Sequence, residues 1–199
     1  MVKKSVPSQQ ARRRFLDAGL VVLGEHGHAG LKLAQVCAAA GATTGSFYHA
    51  FGSWADFTTD LIAYWRHERS RRLIDDALAV AEPTGRIDVL VDIGLSLDRA
   101  SEAAIRVWST HDDEVRRHLE EVDRERIDVI ADTSAAIIGD ETVARQYAQV
   151  ALYLLIGYQM GTVPSIDALR FGFTSMLDHV LGPDRTGPDR TGTDRTGPA

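Results

Sequence analysis

Cysteine and long apolar stretches are scarce in this sequence of 199 residues. The single cysteine, Cys37, cannot form a disulfide within the chain, which fits a reducing cytoplasm. The longest apolar run, 150–156, is far shorter than the roughly 18 to 20 residues that a membrane span requires. No apolar segment follows Lys3 and Lys4, as a secretory signal would need. We therefore expect a cytoplasmic protein that does not enter a membrane.

Signals for β-strands are also missing. The chain shows no sustained alternation of polar and apolar residues and no Asn-Gly or Asp-Gly pair to turn a hairpin. Apolar residues recur instead at spacings of three and four, as at Phe15, Leu16 and Leu20, which predicts helices throughout. The first helix is expected to end near Gly27 and Gly30. Further helices are predicted over 32–40, 43–49, 53–80, 86–99, 101–111, 113–138, 141–160 and 166–181.

Charge is divided unevenly along the chain. Residues 1–57 hold six lysines and arginines against three acidic residues, whereas the whole chain has a net charge of −6. A basic N-terminal part on an acidic remainder is expected when only that part meets phosphate. Chance clustering explains the same asymmetry, so charge alone does not establish nucleic-acid binding.

The two short helices predicted at 32–40 and 43–49 suggest a specific motif. A turn at Gly41 joins them, and they follow the basic start of the chain. This arrangement predicts a helix-turn-helix, in which the second helix brings its N-terminal residues to base edges in the major groove. A helical adaptor that does not bind DNA would leave the residues of the second helix unexplained.

The residues of this segment are more specific than their spacing. They read RRFLDAGLVVLGEHG over 13–27, LKLAQVCAAAG over 31–41 and ATTGSFYHAF over 42–51. From 11 to 57 the chain resembles the TetR/AcrR family of repressors, which has a G-T-L-Y-x-H-F-type recognition helix. The resemblance implies an all-α fold of about nine helices. An N-terminal three-helix DNA-binding domain at 8–52 would precede a ligand-binding and dimerisation domain at 53–181.

The same resemblance implies that the chain binds double-stranded operator DNA. It places at the DNA Lys32, Thr43, Thr44, Gly45, Ser46, Tyr48 and His49, with Arg12, Arg13 and Arg14 on phosphates. In this pattern Gly45 lets the helix approach DNA closely, Thr43 caps the helix, and Phe47 and Phe51 pack inward. For Tyr48, a partly buried helix aromatic is the alternative interpretation.

Three places depart from the family pattern. Leu31 and Lys32 stand where the family usually has threonine or serine, Ala50 where it often has histidine, and Trp54 where a lysine commonly binds phosphate. These changes remove polar contacts with DNA. Lys32 still offers a positive charge to phosphate.

The resemblance also implies a homodimer through the last two helices and a small-molecule effector that releases DNA by moving the fourth helix. Apolar residues encircle the helix at 150–156, so more than one neighbour must cover it. A large monomeric core is the alternative. The effector is not identified by the sequence, and we predict for its pocket Trp65, Arg106, Trp108, His111, Tyr153 and Tyr158. For Arg106, pairing with a nearby carboxylate is the alternative.

The alternative from another class is a helical enzyme, or a ligand-binding protein with no DNA role. The run from His111 to Glu114, followed by His118, resembles a metal cluster, but a polar turn before a solvated helix explains it better. Cys37 lies within a helix and is expected in the core rather than as a nucleophile. The chain contains no H-E-x-x-H, no G-x-S-x-G and no phosphate loop. We therefore expect no enzymatic activity, no cofactor and no metal.

The C-terminal segment 182–199 has a composition of its own. It repeats GPDRT, GPDRT and GTDRT before ending in GPA. Its charges cancel, and it has no apolar residue large enough to anchor a core, so the ordering entropy is not offset. We expect this segment to be a disordered tail.

Overall fold

A computed structural model of the protein describes residues 6–181, and the predicted tail at 182–199 lies outside them. Within 6–181 the secondary structure is helical and contains no strand, which confirms the all-α prediction. The helices are α1 (Val6–Gly30), α2 (Leu33–Ala39), α3 (Thr44–Ala50), α4 (Trp54–Arg66), α5 (Arg72–Leu78), α6 (Pro83–Ser96), α7 (Arg99–Trp108), α8 (Asp113–Ile138), α9 (Glu141–Met160) and α10 (Ile166–Leu181). Among these described helices, none is both long and apolar enough to cross a membrane.

A π-helical turn, His67–Arg71, joins α4 to α5 without a break. The resulting rod, Trp54 to Leu78, corresponds to the single helix predicted over 53–80. Counted this way, the described residues form nine helical segments, as predicted. We call α1–α3 the head, α4 to α5 the rod, and α6–α10 the body.

Side-chain caps explain where several helices begin. Asp112 and Asp140 accept hydrogen bonds from the first backbone amides of α8 and α9, whose predicted bounds are therefore matched. Glu82 caps α6 in the same way, and Pro83 is the first residue of that helix. The segment 82–85 separates the predicted helices 53–80 and 86–99, but α6 already begins within it, at Pro83. Proline suits the first position because it lacks only an amide that the helix leaves unused.

Two glycines with positive φ shape the head. Gly27 has φ 65° and kinks α1 near its end. Gly41 has φ 57° just after α2, a conformation that glycine adopts without steric cost. Its amide donates to the carbonyl of Ala38 at 3.0 Å, and the next amide, of Ala42, donates to Cys37 at 2.9 Å. These bonds close the turn of the helix-turn-helix.

The main hydrophobic core runs from the head through the rod into α7 and α8. Two glycines of α1 permit the close packing on either side. A Cβ at Gly19 would lie 2.8 Å from Cζ of Phe57, and one at Gly24 would lie 3.1 Å from the amide nitrogen of Ser101. Both distances are too short for an undisturbed contact, so α1 is wedged between the rod and α7. A second, smaller core lies in the body around Leu152, Leu155, Leu169 and Phe173.

Candidate nucleic-acid interface

Aromatic rings hold the inner face of α3 against its neighbours. Phe47 and Phe51 are buried, as predicted, and meet Phe15 of α1 and Phe57 of α4. The ring centroids lie 5.4 Å apart for Phe15 and Phe47, and 5.1 Å apart for Phe51 and Phe57. Both pairs are edge-to-face, an arrangement that stabilises by about 0.5–1.5 kcal/mol beyond area burial. The orientation of α3 is therefore set by its buried side.

The opposite face of α3 is exposed at the N-terminal end of the helix. Thr43 caps the helix as predicted, because its Oγ1 accepts a hydrogen bond from the Ser46 amide at 3.2 Å. Tyr48 is 52% exposed, and its ring also contacts Phe47 edge-to-face at 5.4 Å. The exposed predicted site residues on this face are Thr43, Thr44, Gly45, Ser46, Tyr48 and His49. Hydroxyl, phenol and imidazole groups of this kind donate hydrogen bonds to phosphates and base edges.

The fold does not require glycine at position 45. Its φ is not positive, and a Cβ added there would meet only Thr43 Oγ1, at the ordinary contact distance of 3.7 Å. Glycine in a helix costs about 0.5–1 kcal/mol relative to alanine. Gly45 therefore weakens α3, and no packing within the chain requires it. A close contact with another molecule would explain why this position has no side chain.

Positive charge flanks this face unequally. Lys32 is exposed directly before α2 and makes no side-chain capping bond, so its charge adds to the partial positive charge of the helix N-terminus. Arg14 is exposed on α1, with its guanidinium 5.9 Å from the ring centre of Phe15. Arg13 is exposed too, but it is bonded to Glu68 of the π-helical turn at 3.1 Å. Lys32 and Arg14 thus have fewer polar contacts within the protein than Arg13 has.

Arg12 is engaged inside the protein. Its Nη1 donates to the carbonyl of Ala50 at 2.5 Å, and its guanidinium pairs with Asp60 of α4. The same guanidinium lies 4.4 Å from the ring centre of Phe51. These contacts tie α1 to the end of α3 and to the rod. The prediction that Arg12 binds phosphate therefore competes with a structural role that the sequence did not indicate.

The unusual Trp54 also has a structural place. Its ring lies 5.0 Å from that of Phe57 and 5.9 Å from that of Phe47, and the side chain is half-buried. Where a lysine would bind phosphate, this chain extends the aromatic cluster behind α3. The expected loss of a polar contact at this position is accompanied by added packing.

Residues 15–57 match the family model described as bacterial regulatory proteins, tetR family. The helix-turn-helix segment of this chain is therefore similar to that of the tetR family. The match runs from Phe15 through the helix-turn-helix to Phe57, which are the two ends of the aromatic cluster. No curated protein matches the chain by sequence.

Solved structures of regulators share the whole fold. A TetR-family regulator from Rhodococcus sp. has a TM-score of 0.68 at 16% identity, over 87% of this chain and 99% of its own. A TetR regulator from Haloarcula marismortui has a TM-score of 0.67 at 16% identity, over 86% and 98%. NemR of E. coli in its reduced form has a TM-score of 0.65 at 20% identity, over 85% and 95%. The chain thus shares the helical architecture of these proteins from α1 into the body.

The predicted effector residues fall in separate places. Trp65 is fully buried in the rod, and its Nε1 donates to Glu102 of α7 at 2.8 Å. Arg106 donates to both carboxylate oxygens of Asp123, at 2.9 and 2.8 Å. Arg106 therefore has the carboxylate partner that the alternative interpretation expected.

The other four are equally dispersed. Trp108 is buried, with its ring stacked 4.3 Å from that of His28 in α1. His111 is exposed after α7, Tyr153 is 62% exposed on α9, and Tyr158 is half-buried. The predicted effector residues are thus spread over the rod, α7, the turn after α7, and α9, at both buried and exposed positions.

An apolar cavity, the body cavity, lies between the rod and the helices of the body. Its two adjoining parts share Leu90, Ile130, Ala151 and Phe173, and each has a volume of about 60 Å³. The first part extends to Ser70 in the π-helical turn. Sequence reasoning missed this cavity because its walls are ordinary apolar helix positions, which only the assembly of several helices leaves unfilled. None of the six predicted effector residues lines this cavity. Their assignment to one pocket stays a prediction.

A buried polar network connects the rod to the body beside that cavity. Glu102 is only 2% exposed, and besides accepting from Trp65 it pairs with Arg126 of α8 at 2.9 and 3.3 Å. Nε2 of Gln159 in α9 lies 3.4 Å from the same carboxylate. The sequence held one signal for it, since Glu102 lies three residues before the buried Ile105 on the apolar side of α7.

The candidate enzyme residues also have local explanations. Asp112 caps α8 and accepts a hydrogen bond from Trp108 Nε1 at 3.3 Å, so the run after His111 contains a helix cap. Across 6–181, no group of three or more His, Cys, Asp or Glu side chains is placed to hold a metal ion. Cys37 lies in the core of the head, where burial raises the pKa of its thiol.

Proposed function

We propose that this regulator is a homodimeric repressor that binds pseudo-palindromic operator DNA through α2 and α3 and releases it when a small molecule binds in the body. The observation that carries the DNA part is the exposed polar end of α3, on a helix whose other side is fixed by buried rings. A helix fixed in this way presents its side chains to the major groove in a defined register.

We assign individual roles on this face from exposure and contacts. Thr44, Ser46, Tyr48 and His49 contact bases and neighbouring phosphates, and Gly45 permits the close approach. Thr43 caps the helix and faces the same groove. Lys32 and Arg14 neutralise phosphates, with Arg13 joining them when it leaves Glu68, whereas Arg12 positions α3 through its bond to Ala50.

The test begins with selection of genomic fragments by the purified full-length protein, followed by footprinting. The double variant Tyr48→Ala, His49→Ala should bind the selected site at least tenfold more weakly, since a lost groove contact costs about 1–3 kcal/mol. His26→Ala, an exposed histidine near the far end of α1, is the matched control. Unchanged affinity in the double variant contradicts the site. Absence of any selected sequence contradicts the DNA role and favours a ligand-binding protein or an enzyme.

An uncovered apolar stripe on the last two helices supports the dimer. Leu152 and Leu155 face the core of the body, but Val150 and Tyr153 on the same helix are exposed. Phe171 of α10 is 74% exposed. A second copy that packs its own α9 and α10 on this stripe removes these side chains from water, and twofold symmetry then directs both heads to one DNA face.

Light scattering at micromolar concentration tests the dimer. We expect about twice the chain mass of 21.8 kDa for the native protein, and a shift toward the monomer for Tyr153→Glu combined with Phe171→Glu. Val107→Glu also replaces an exposed apolar residue by glutamate, but on α7, and should leave the mass unchanged. A native protein of monomeric mass overturns the proposal.

Release by an effector is supported by the position of the body cavity. One end of the cavity is formed by the π-helical turn, so an occupant contacts the rod, and the rod carries Phe57 and Trp54 of the cluster behind α3. A ligand shifts DNA affinity only by its preference for the conformation that does not bind DNA. The measurement is therefore loss of operator binding as a bound compound is titrated, with the same compound tested for binding in the absence of DNA.

A further inference from the structure

The body cavity contains one buried polar atom that has no partner. Ser70 in the π-helical turn lines the cavity and is 2% exposed, and its Oγ makes no hydrogen bond within the described residues. Thr133 of α8, which is also buried, instead donates its hydroxyl to the carbonyl of Val129 four residues earlier, at 2.7 Å. Since buried hydroxyls are normally bonded, the Ser70 hydroxyl indicates a partner that is not part of the chain.

The charge of the cavity wall is already balanced. Arg126 is the charged residue that lines the part next to the rod, and its guanidinium is held by Glu102 at 2.9 and 3.3 Å. Glu102 in turn also accepts from Trp65. An ionised ligand would therefore enter an apolar space without an unpaired counter-charge, which is strongly unfavourable. An uncharged ligand meets no such penalty.

The shape of the cavity favours a long molecule. Its two parts adjoin along Leu90, Ile130, Ala151 and Phe173, so that an occupant can extend from the rod toward α10. The walls along this path are mainly aliphatic and aromatic side chains, which select apolar surface, and Ser134 and Tyr147 add hydroxyl groups in the part toward α10. The hydroxyl of Ser70 stands at the end next to the rod.

We propose that this cavity binds an uncharged, elongated, largely apolar molecule whose single hydrogen-bonding oxygen meets Ser70 Oγ. This proposal rests on the proposed function in one respect, because it takes the occupant to be the effector that releases DNA. Binding of the occupant is measured without DNA. The oxygen is that of an alcohol, ketone or ester, because each of these accepts a hydrogen bond from a hydroxyl while remaining neutral.

The first arm compares three ten-carbon probes on the full chain: 1-decanol, decanoate and decylammonium at neutral pH. Calorimetric titration should show 1-decanol binding at least tenfold more tightly than either ion. Binding of decanoate or decylammonium within threefold of 1-decanol overturns the proposal, because it shows that the site accepts charge.

The second arm uses variants. Ser70→Ala should weaken 1-decanol about five- to tenfold while leaving the melting temperature of the free protein unchanged or higher, since the hydroxyl has no internal partner. Thr59→Ala, which removes an exposed hydroxyl from the same rod, should change neither. Equal affinity in Ser70→Ala, or a lowered melting temperature of its free form, overturns the assignment by showing that the hydroxyl serves the fold.

The third arm fills the cavity. Ala151→Phe places a ring where the two parts adjoin and should abolish 1-decanol binding while the circular dichroism spectrum stays native. Should that variant not fold, Leu90→Phe fills the cavity from α6. Undiminished binding in a folded filling variant overturns the proposal. Operator binding by the ligand-free protein is scored separately, so a failure of DNA binding is distinguished from a failure of this site.

Discussion

The head and the body of this protein differ in how tightly their side chains are packed. Around α3, the rings of Phe15, Phe47, Phe51 and Phe57 are all at most 1% exposed. They lie at contact distance, edge-to-face except for the tilted pair of Phe47 and Phe51. In the body, the core cluster is smaller, and Phe173 borders an unfilled cavity on both of its parts. Both regions are built from amphipathic helices, so the contrast does not come from the type of secondary structure.

The proposed function gives this difference in packing a meaning. A helix that reads base edges has to present its side chains in one orientation, and dense packing of rings behind it provides this. A region that accepts a guest needs free volume and the ability to repack around it. The rod connects the two, because its first turns belong to the aromatic cluster and its π-helical turn forms one end of the cavity.

The largest expected effect tests the packing contrast directly. Phe47→Ala should lower the free energy of unfolding by about 3–5 kcal/mol, because the void it leaves is surrounded by rigid neighbours. Phe173→Ala should cost less, by at least about 1 kcal/mol, since its ring already borders free space. Urea denaturation at equal protein concentration measures both. An equal or larger loss for Phe173→Ala would show that the body is packed as tightly as the head.

A second effect concerns the network between rod and body. Glu102→Gln leaves Arg126 buried without its counter-charge and should destabilise the protein by about 3 kcal/mol. Asp128→Asn, which breaks the exposed pair with Arg145 at 3.1 Å, is the control and should cost less than about 1 kcal/mol. Thermal and urea unfolding of both variants provide the comparison. Similar small losses would mean that the network does not hold the rod to the body.

Gly45→Ala should separate stability from DNA binding in the head. We expect the free energy of unfolding to rise by about 0.5–1 kcal/mol, because alanine favours the helix and meets no clash. Affinity for the operator should fall, because the added methyl group occupies the space of close approach. Ala63→Gly, at an exposed position of α4, is the control, and it should lower the free energy of unfolding by a similar amount. Unchanged DNA affinity in Gly45→Ala would show that close approach to DNA does not require glycine at this position.

The smallest effect is electrostatic. Lys32→Gln should reduce the slope of log K against log salt by about 0.9, the value of one phosphate contact, with no measurable change in stability. Arg145→Gln on α9, an exposed cation far along the body, is the matched control and should leave the slope unchanged. Operator titrations at several salt concentrations provide the slopes. An unchanged slope for Lys32→Gln would exclude it from the phosphate contacts.

Local signals predicted the helices and the inner face of α3 well. Asp112 and Asp140 cap the helices that follow them, and such caps act within one turn, so the predicted bounds 113–138 and 141–160 agree with the structure. Phe47 lies in α3 and Phe51 directly follows it, four residues on, with its amide bonded to the carbonyl of Phe47, so both rings turn to the same side. The signature over 13–51 added the helix-turn-helix, and the family model matches the same segment. The misread break at Pro83 is the exception, because proline both ends and begins helices.

By itself, then, the sequence determined the helical segments, the turn at Gly41 and the polar face that α3 turns outward, since all of these depend on residues a few positions apart. Tertiary structure alone decided that Arg12 bonds to Ala50, 38 residues away, and that Arg106 pairs with Asp123. It also decided that the cavity is lined by Ser70 and Phe173 rather than by the predicted tryptophans. Free volume and buried ion pairs depend on how several helices pack together. The spacing of apolar residues within one helix does not determine how closely its neighbours approach.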